Sequence, residues 1–167
     1  MLVVVAGRTA PNRSVRFGGE HDPLDARGIA SVEALIVAPP GRSATRAGPE
    51  ASVRQSAGLL GRSYDVDPGL ATLDVGSWRG RPPEEIPPGE LGAWFADPDA
   101  VPHGGESVRA FVERIRDHVA GLEPETVLVV AAPVAQALLC GGPDVFFAAD
   151  VRPASTHSVD GLGRGSR

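Results

Sequence analysis

The sequence has one cysteine, Cys140, and no lysine among its 167 residues. A single thiol excludes an intramolecular disulfide and a thiolate metal cluster within one chain. Cys140 ends the apolar run of residues 135–140, so we expect it to be buried and inert, as free cysteines commonly are. Every basic side chain is arginine, and the sequence contains 21 glycines and 16 prolines. This bias indicates a bacterium with a GC-rich genome as the source.

Long apolar runs and an excess of positive charge are also missing. No stretch approaches the roughly 20 residues of a membrane-spanning helix, and residues 1–6 lack the features of a secretory signal. We therefore expect a cytoplasmic protein without a membrane partner. The 21 acidic side chains outnumber the 16 basic ones, which disfavours nucleic acid as a partner. The four histidines lack metal-ligand spacing, so we expect no metal and no other cofactor.

Apolar runs alternate with segments of helical periodicity, which predicts an α/β domain. The predicted strands are residues 3–6, 35–38 and 126–131, with residues 145–147 and 158–159 as candidate closing strands. The predicted helices are residues 23–35, 107–122 and 134–139, and an Ala-rich segment, residues 42–60, that Gly48-Pro49 should interrupt. This alternation implies a three-layer α/β/α sandwich with a mostly parallel central sheet, whose ligands bind beyond the carboxyl ends of the strands.

The chain length suits a single domain, so residues 1–167 are expected to share one core. Within that domain, residues 82–102 carry six prolines around Trp94 and Phe95. This composition predicts an insertion that packs through its aromatic side chains rather than through regular structure. We expect the insertion to flank the cleft.

Several segments match the motifs of one known family in order. Residues 70–80, Leu-Ala-Thr-Leu-Asp-Val-Gly-Ser-Trp-Arg-Gly, match Leu-x-Glu-x-Asp-Phe-Gly-x-Trp-Glu-Gly, and residues 103–107 contain its Gly-Gly-Glu-Ser loop. Residues 19–28, 127–133 and 156–159 are similar to three further motifs of that family. The chain therefore resembles the histidine phosphatase (phosphoglycerate mutase-like) superfamily over nearly its whole length, which implies that family's fold.

The resemblance also implies a site from which the reactive groups are missing. The family's first strand ends in Arg-His-Gly-Glu-Thr, where the histidine attacks phosphorus, and here Val5 and Ala6 stand at the first two positions. Ala132 replaces a second histidine, and Thr72 replaces the carboxylic acid that protonates the leaving group. A methyl group has no lone pair, and positioned cations supply most of the catalysis in phosphoryl transfer. The resemblance thus predicts a protein without phosphatase or mutase activity.

The family's second phosphate-binding arginine, in Ser-Pro-Leu-x-Arg-Ala, has two candidate positions. Residues 38–43 place it at Arg42, whereas a register that begins at Gly48-Pro49 places it at Ser52. We favour Arg42 because residues 38–43 directly follow the predicted strand at residues 35–38, on the sheet edge where ligands bind. The Arg42 register implies that the second phosphate-binding arginine is retained, whereas the Ser52 register implies that it is lost.

The candidate cleft residues are those that the motifs bring near the strand ends: Arg8, Thr9, Asn12, Arg42, Asp74, His103, Glu106 and His157. Three functions stay open. The first is a non-catalytic module that binds a small molecule or regulates a partner. The second is a repurposed enzyme of a bacterial biosynthetic pathway that uses the same cleft. The third is an atypical phosphatase with a displaced nucleophile such as His103, and a homodimer stays open for each.

Overall fold

The structure, a computed structural model, describes residues 1–9, 16–36 and 43–160. Its five strands are β1 (Leu2–Val5), β2 (Thr45–Ala47), β3 (Asp65–Val66), β4 (Val127–Val130) and β5 (Thr156–Ser158). They form one sheet in the order β3-β2-β4-β1-β5. The pairs β1–β4, β2–β4 and β2–β3 are parallel, and β5 runs antiparallel to β1. The sheet is therefore mixed, with one antiparallel strand at its edge.

Helices cover both faces of this sheet. They are α1 (Ala26–Glu33), α2 (Ala51–Leu59), α3 (Pro88–Ala96), α4 (Val108–Ala120) and α5 (Ala132–Leu139). Side chains of β1 alternate between the faces, as the period of a strand requires. Val3 and Val5 pack in one core cluster with residues of α4 and α5, whereas Val4 and Ala6 pack in a second cluster with residues of α2. The predicted α/β fold, a mostly parallel sheet flanked by helices, is confirmed.

Two helices begin directly after a residue whose side chain caps them. The Ser107 cap was predicted from the sequence, whereas α1 begins three residues later than the predicted start at residue 23. Ser107 precedes α4, and its Oγ accepts a hydrogen bond from the backbone N–H of Ala110 at 3.1 Å. Asp25 precedes α1 and accepts from the backbone N–H of Gly28 at 2.7 Å. Each side chain satisfies one of the N–H groups that the first turn of a helix leaves free. The apolar face of α4 is buried as its periodicity predicts, through Val108, Phe111, Val112, Ile115 and Val119.

The predicted second strand is wrong. Leu35 and Ile36 lie outside any strand, and the Ile36 side chain is 97% exposed; residues 37–42 lie outside the described part of the chain. The strand is instead Thr45–Ala47, within the segment that the Ala-rich composition assigned to a helix. This strand pairs on one side with β3 and on the other with β4. Its conformation comes from these two neighbours rather than from an apolar run of its own. The interruption expected at Gly48-Pro49 is present, and α2 begins just after it.

Two other expectations need correction. Residues 82–102 contain regular structure, a short 3-10 helix at Pro83–Glu85 and the helix α3. Trp94 of α3 is buried among aromatic rings, as predicted, but Phe95 is 54% exposed. The apolar residues 145–147 form part of a 3-10 helix, Pro143–Ala148, rather than a strand. In both segments a proline occupies the first turn, where its fixed φ favours a helix start. Across the described ranges, no helix combines the length and the hydropathy needed to cross a membrane.

Candidate active-site cleft

A cleft of about 270 Å³ lies at the carboxyl ends of β1 and β4. Residues that follow β1 and β4 form part of its wall, and the first turns of α2 and α5 form another part. This is the edge at which ligands bind in open α/β sheets. The described lining residues are Ala6, Gly7, Arg8, Thr9, Arg16, Gly18, Gly19, Glu20, Asp22, Glu50, Ser52, Thr72, Ala131, Ala132, Pro133 and Pro153.

Methyl groups line the part of the cleft nearest the sheet. Ala6 directly follows β1, and its backbone N–H donates to the carbonyl of Val130 at 2.8 Å. Ala132 is the first residue of α5, and both alanines belong to the cleft wall. Val5 is 1% exposed and packs in the core on the α4–α5 side of the sheet, so it does not contribute to that wall. No described lining residue of this cleft is a histidine.

A buried carboxyl group separates this cleft from a neighbouring cavity. Glu50, which immediately precedes α2, is 4% exposed and lines both spaces. Its Oε1 accepts a hydrogen bond from the backbone N–H of Thr72 at 2.6 Å. Its Oε2 is buried without a hydrogen-bond partner among the described residues. Burial raises the pKa of the Glu50 carboxyl, against the opposing effect of the Thr72 N–H.

Glu50 is not among the site residues predicted from the sequence. A signal was present, because in the register that starts at Gly48-Pro49 this glutamate occupies the position of the leucine in Ser-Pro-Leu-x-Arg-Ala. A charged residue in place of an apolar one, directly before a helix, is compatible with an exposed N-cap position and with a buried site. The packing of the start of α2 against the segment that carries Thr72 shows that Glu50 is buried rather than an exposed cap, and the sequence does not reveal this packing.

Arg8 and Thr9 lie in the cleft wall, as the sequence analysis expected. An Nη atom of Arg8 lies 2.8 Å from a carboxylate oxygen of Asp25. The Gly28 N–H, and then Arg8, hold the pKa of Asp25 below its ordinary value. A Cβ atom at position 28 would collide with the backbone of Arg8. Glycine there lets α1 approach the segment after β1, which fixes the Arg8 backbone beside the cleft.

The reason for assigning the family's second arginine to Arg42 fails with the second-strand prediction. Arg42 and Asn12 lie outside the described residues. The strand β2 ends at Ala47, so the segment that directly follows it is Gly48-Pro49. In that register the arginine position falls on Ser52, which is 8% exposed and belongs to the cleft wall.

The neighbouring cavity has a volume of about 430 Å³. It shares Glu20, Glu50 and Thr72 with the cleft, and its lining residues are Glu20, His21, Pro49, Glu50, Arg54, Ala71, Thr72, Asp74 and Arg79. Asp74 is therefore near the site, although it lines this second cavity. Arg79 bridges two of the carboxylates, with an Nε to Glu20 distance of 2.8 Å and an Nη to Asp74 distance of 3.0 Å.

His103 lies away from both cavities. It is 3% exposed, and its ring centroid lies 5.0 Å from that of Trp78 and 6.2 Å from that of Trp94. Its Nδ1 accepts from the backbone N–H of Gly105 at 3.0 Å, and burial lowers its pKa. The expectation that the loop would present this histidine to the cleft is not met, because the aromatic cluster encloses the ring.

Glu106 and His157 also have local partners outside the cleft wall. Glu106 accepts two hydrogen bonds from Arg114, at 2.8 and 3.0 Å. His157 lies on β5, and its Nε2 is 2.9 Å from the Oγ of Ser155. Within the described residues, no group of three or more His, Cys, Asp or Glu side chains is placed to hold a metal ion.

The fold and the position of this cleft can be compared with those of known proteins. Residues 2–142 match the model of the histidine phosphatase superfamily, branch 1. The chain belongs to this superfamily. No curated protein sequence matches the chain.

Solved structures extend the histidine phosphatase comparison to most of the chain. The protein TTHB049 from Thermus thermophilus is 30% identical, with a TM-score of 0.77, and the match covers 93% of this chain and 89% of that one. A phosphoglycerate mutase from Thermus thermophilus is 28% identical, with the same coverages and a TM-score of 0.72. A mycobacterial glucosyl-3-phosphoglycerate phosphatase is 25% identical, covers 93% and 87%, and has a TM-score of 0.78. Ala6 and Ala132, which sequence analysis aligned with the histidine phosphatase histidines, both lie in the cleft wall.

Proposed function

We propose that this member of the histidine phosphatase superfamily has no phosphatase or mutase activity and binds a small molecule in the cleft. The observation that carries the proposal is the cleft wall, which contains Ala6, Ser52 and Ala132. The sequence resemblance aligns the two alanines with the family's histidines and, in the register that begins at Gly48-Pro49, Ser52 with its second arginine. None of these three side chains can attack phosphorus as an imidazole does, and none carries a positive charge.

The expected loss of rate is large. Removing one group that stabilises a transition state costs about 10²- to 10³-fold in rate. When catalytic groups act together, loss of a set that includes the nucleophile removes nearly all of the rate enhancement that they provide jointly. Thr72 adds to this loss, because a hydroxyl is a poor acid near neutral pH.

The described cations of the cleft do not replace the missing ones. Arg8 pairs with Asp25 at 2.8 Å. Arg16 is exposed and donates to the carbonyl of Gly80 at 2.8 Å. An arginine held by such contacts would have to leave them in order to clamp a transferring phosphoryl group in the geometry that this chemistry requires.

Hydrolysis of p-nitrophenyl phosphate by the purified chain tests this proposal. We expect no release of nitrophenolate above that of a matched Ala132→Phe variant, whose larger side chain would obstruct the cleft at the position of Ala132. Activity that is present in the wild-type chain and absent from Ala132→Phe would contradict the proposal. Equal activity in the two proteins would also contradict the proposed absence of phosphatase activity, and it would place that activity outside the cleft.

One observation favours a second candidate function, a repurposed enzyme of a biosynthetic pathway. A buried carboxyl with a raised pKa is suited to general acid–base catalysis, and Glu50 has this character at the cleft. Incubation with a bacterial metabolite extract, followed by mass spectrometry, tests for turnover. Consumption of a metabolite by the wild-type chain but not by Glu50→Gln would support the enzyme, whereas binding without consumption would support the binding module. A displaced nucleophile at His103 gains no support, since that ring is buried among tryptophans.

A further inference from the structure

Glu50 carries a polar atom for which the described protein supplies no partner. The residue is 4% exposed and lines the cleft and the neighbouring cavity. One of its oxygens is bonded to the N–H of Thr72, and the other is buried and unpaired. Leaving a buried acceptor without a donor is destabilising, and more so when the group is charged. Such a residue at a cavity wall is suited to accept a hydrogen bond from a bound molecule.

The backbone leaves space for this carboxyl group. A Cβ atom at position 48 would lie 2.6 Å from Oε2 of Glu50 and 3.1 Å from the carbonyl oxygen of Leu70. Glycine at this position therefore lets the carboxyl occupy the boundary between the two cavities. An alanine there would displace the flexible end of Glu50 more readily than the backbone of Leu70.

An ionised Glu50 carboxylate is matched by a cation rather than by an anion. Of the described arginines around it, Arg8 pairs with Asp25, Arg79 pairs with Glu20, and Arg16 donates to the carbonyl of Gly80. Arg54 lines the neighbouring cavity and not the cleft. Asp22 and Glu50 form no ion pair among the described residues. Glu20 disfavours the ionised form of Glu50, whereas the more weakly acting Arg114 favours it. A bound cation would relieve this repulsion and form a charge-assisted hydrogen bond, which is stronger than a neutral one.

We propose that Glu50 is the ligand-recognition residue of the cleft, and that its Oε2 accepts a hydrogen bond from the ammonium or amidinium group of a small cationic molecule. This inference rests on the proposed function, because it assigns a ligand class to the same cleft. The proposed ligand is positively charged, whereas the superfamily name suggests a phosphate ester, which is negatively charged.

The test is an NMR titration followed at the backbone amide of Thr72, which is bonded to the other oxygen of the same carboxyl. The probes are butylammonium chloride and inorganic phosphate at pH 8, with ionic strength held constant. Glu50→Gln removes the charge and keeps the shape, and Gly48→Ala keeps the charge and displaces the carboxyl. Glu90→Gln removes the same charge from an exposed position of α3 and serves as the matched control.

We expect butylammonium to shift the Thr72 amide in the wild-type chain and in Glu90→Gln with equal affinity. Glu50→Gln and Gly48→Ala should each bind it at least tenfold more weakly. Phosphate should leave the Thr72 amide unchanged. Binding of butylammonium to Glu50→Gln within twofold of wild type would overturn the inference, and so would a shift caused by phosphate alone.

The two proposals fail in distinguishable ways. If phosphate binds at Thr72 and p-nitrophenyl phosphate is not hydrolysed, only the ligand class is overturned. If butylammonium binds through Glu50 and the phosphate ester is hydrolysed in the cleft, only the proposed function is overturned.

Discussion

Glu50 combines two features that rarely coincide in one side chain, near-complete burial and an oxygen without a donor. Proteins pair almost all of their buried polar atoms, and the exceptions call for a physical account. Here the account is positional, because the residue stands between two cavities and not in the apolar core. The same burial explains why the pKa of its carboxyl is raised.

This raised pKa predicts the pH dependence of stability for the Glu50→Gln variant. The folded state holds the proton more tightly than the unfolded chain does, so the contribution of Glu50 to stability is fully present below the ordinary value of 4.5. That contribution is lost as the pH rises through the folded-state pKa. Glutamine does not titrate, so the stability of Glu50→Gln relative to wild type should rise between pH 4 and pH 8.

Urea denaturation at the two pH values measures this difference. Glu90→Gln, at an exposed position, should change stability by less than about 0.5 kcal/mol at either pH. A Glu50→Gln variant whose stability relative to wild type does not rise between pH 4 and pH 8 would contradict the prediction.

At the scale of elements, α4 is the segment whose formation depends most clearly on local sequence. Its apolar residues recur with helical spacing, and Ser107 supplies the cap. By contrast, Thr45–Ala47 becomes a strand only because β3 and β4 flank it. Three residues that include Thr45 and Arg46 carry too little apolar pattern to predict a strand, whereas Leu35 and Ile36 begin an apolar run and yet lie outside any strand.

The Ser107 cap predicts the effect of a single substitution on α4. Ser107→Ala removes the hydrogen bond to the Ala110 N–H and should destabilise the protein by about 1 kcal/mol, since caps contribute roughly 0.5–2 kcal/mol. Ser31→Ala is the matched control, because the exposed Ser31 Oγ bonds to the carbonyl of Arg27 inside α1 and caps nothing. Thermal unfolding followed by circular dichroism measures both variants. Equal effects of the two substitutions would show that the cap contributes nothing of its own.

The same contrast between local and non-local signals applies to the candidate site. Ala6, Arg8 and Thr9 follow a strand that the sequence shows clearly, so their position at the sheet edge could be predicted. Ser52 was placed in the rejected register because β2 was assigned to the wrong residues. His103 could not be placed, since its burial depends on Trp78 and Trp94, which lie nearby only after folding.

At the scale of the whole molecule, β1 links the two sides of the sheet. Val3 and Val5 belong to the core cluster that contains both tryptophans, and Val4 and Ala6 belong to the cluster beneath α2. Because both clusters contain side chains of β1, unfolding of β1 would disrupt both of them. The expectation that residues 1–167 form one domain therefore has a physical basis in a shared element.

This arrangement predicts that the chain unfolds in a single transition. Tryptophan fluorescence reports the cluster around Trp78 and Trp94, and far-ultraviolet circular dichroism reports helices on both faces. The midpoints in urea from the two signals should coincide, as they do for two-state domains. Separate midpoints, or a plateau between two transitions, would mean that the two sides of the sheet unfold independently.

The hydrogen bonds of Arg114 hold in place the chain segment that leads to Thr72 in the cleft wall. The Arg114 guanidinium, on α4, donates to Glu106, two residues before that helix, and to the carbonyls of Gly69 and Ala71 at 3.3 and 3.1 Å. The stretch of chain just before Thr72 is thereby braced against a long helix. This side of the binding space is a preorganised wall and not a closing flap, so an arriving molecule meets a surface already in its final shape and incurs little entropic cost for ordering it.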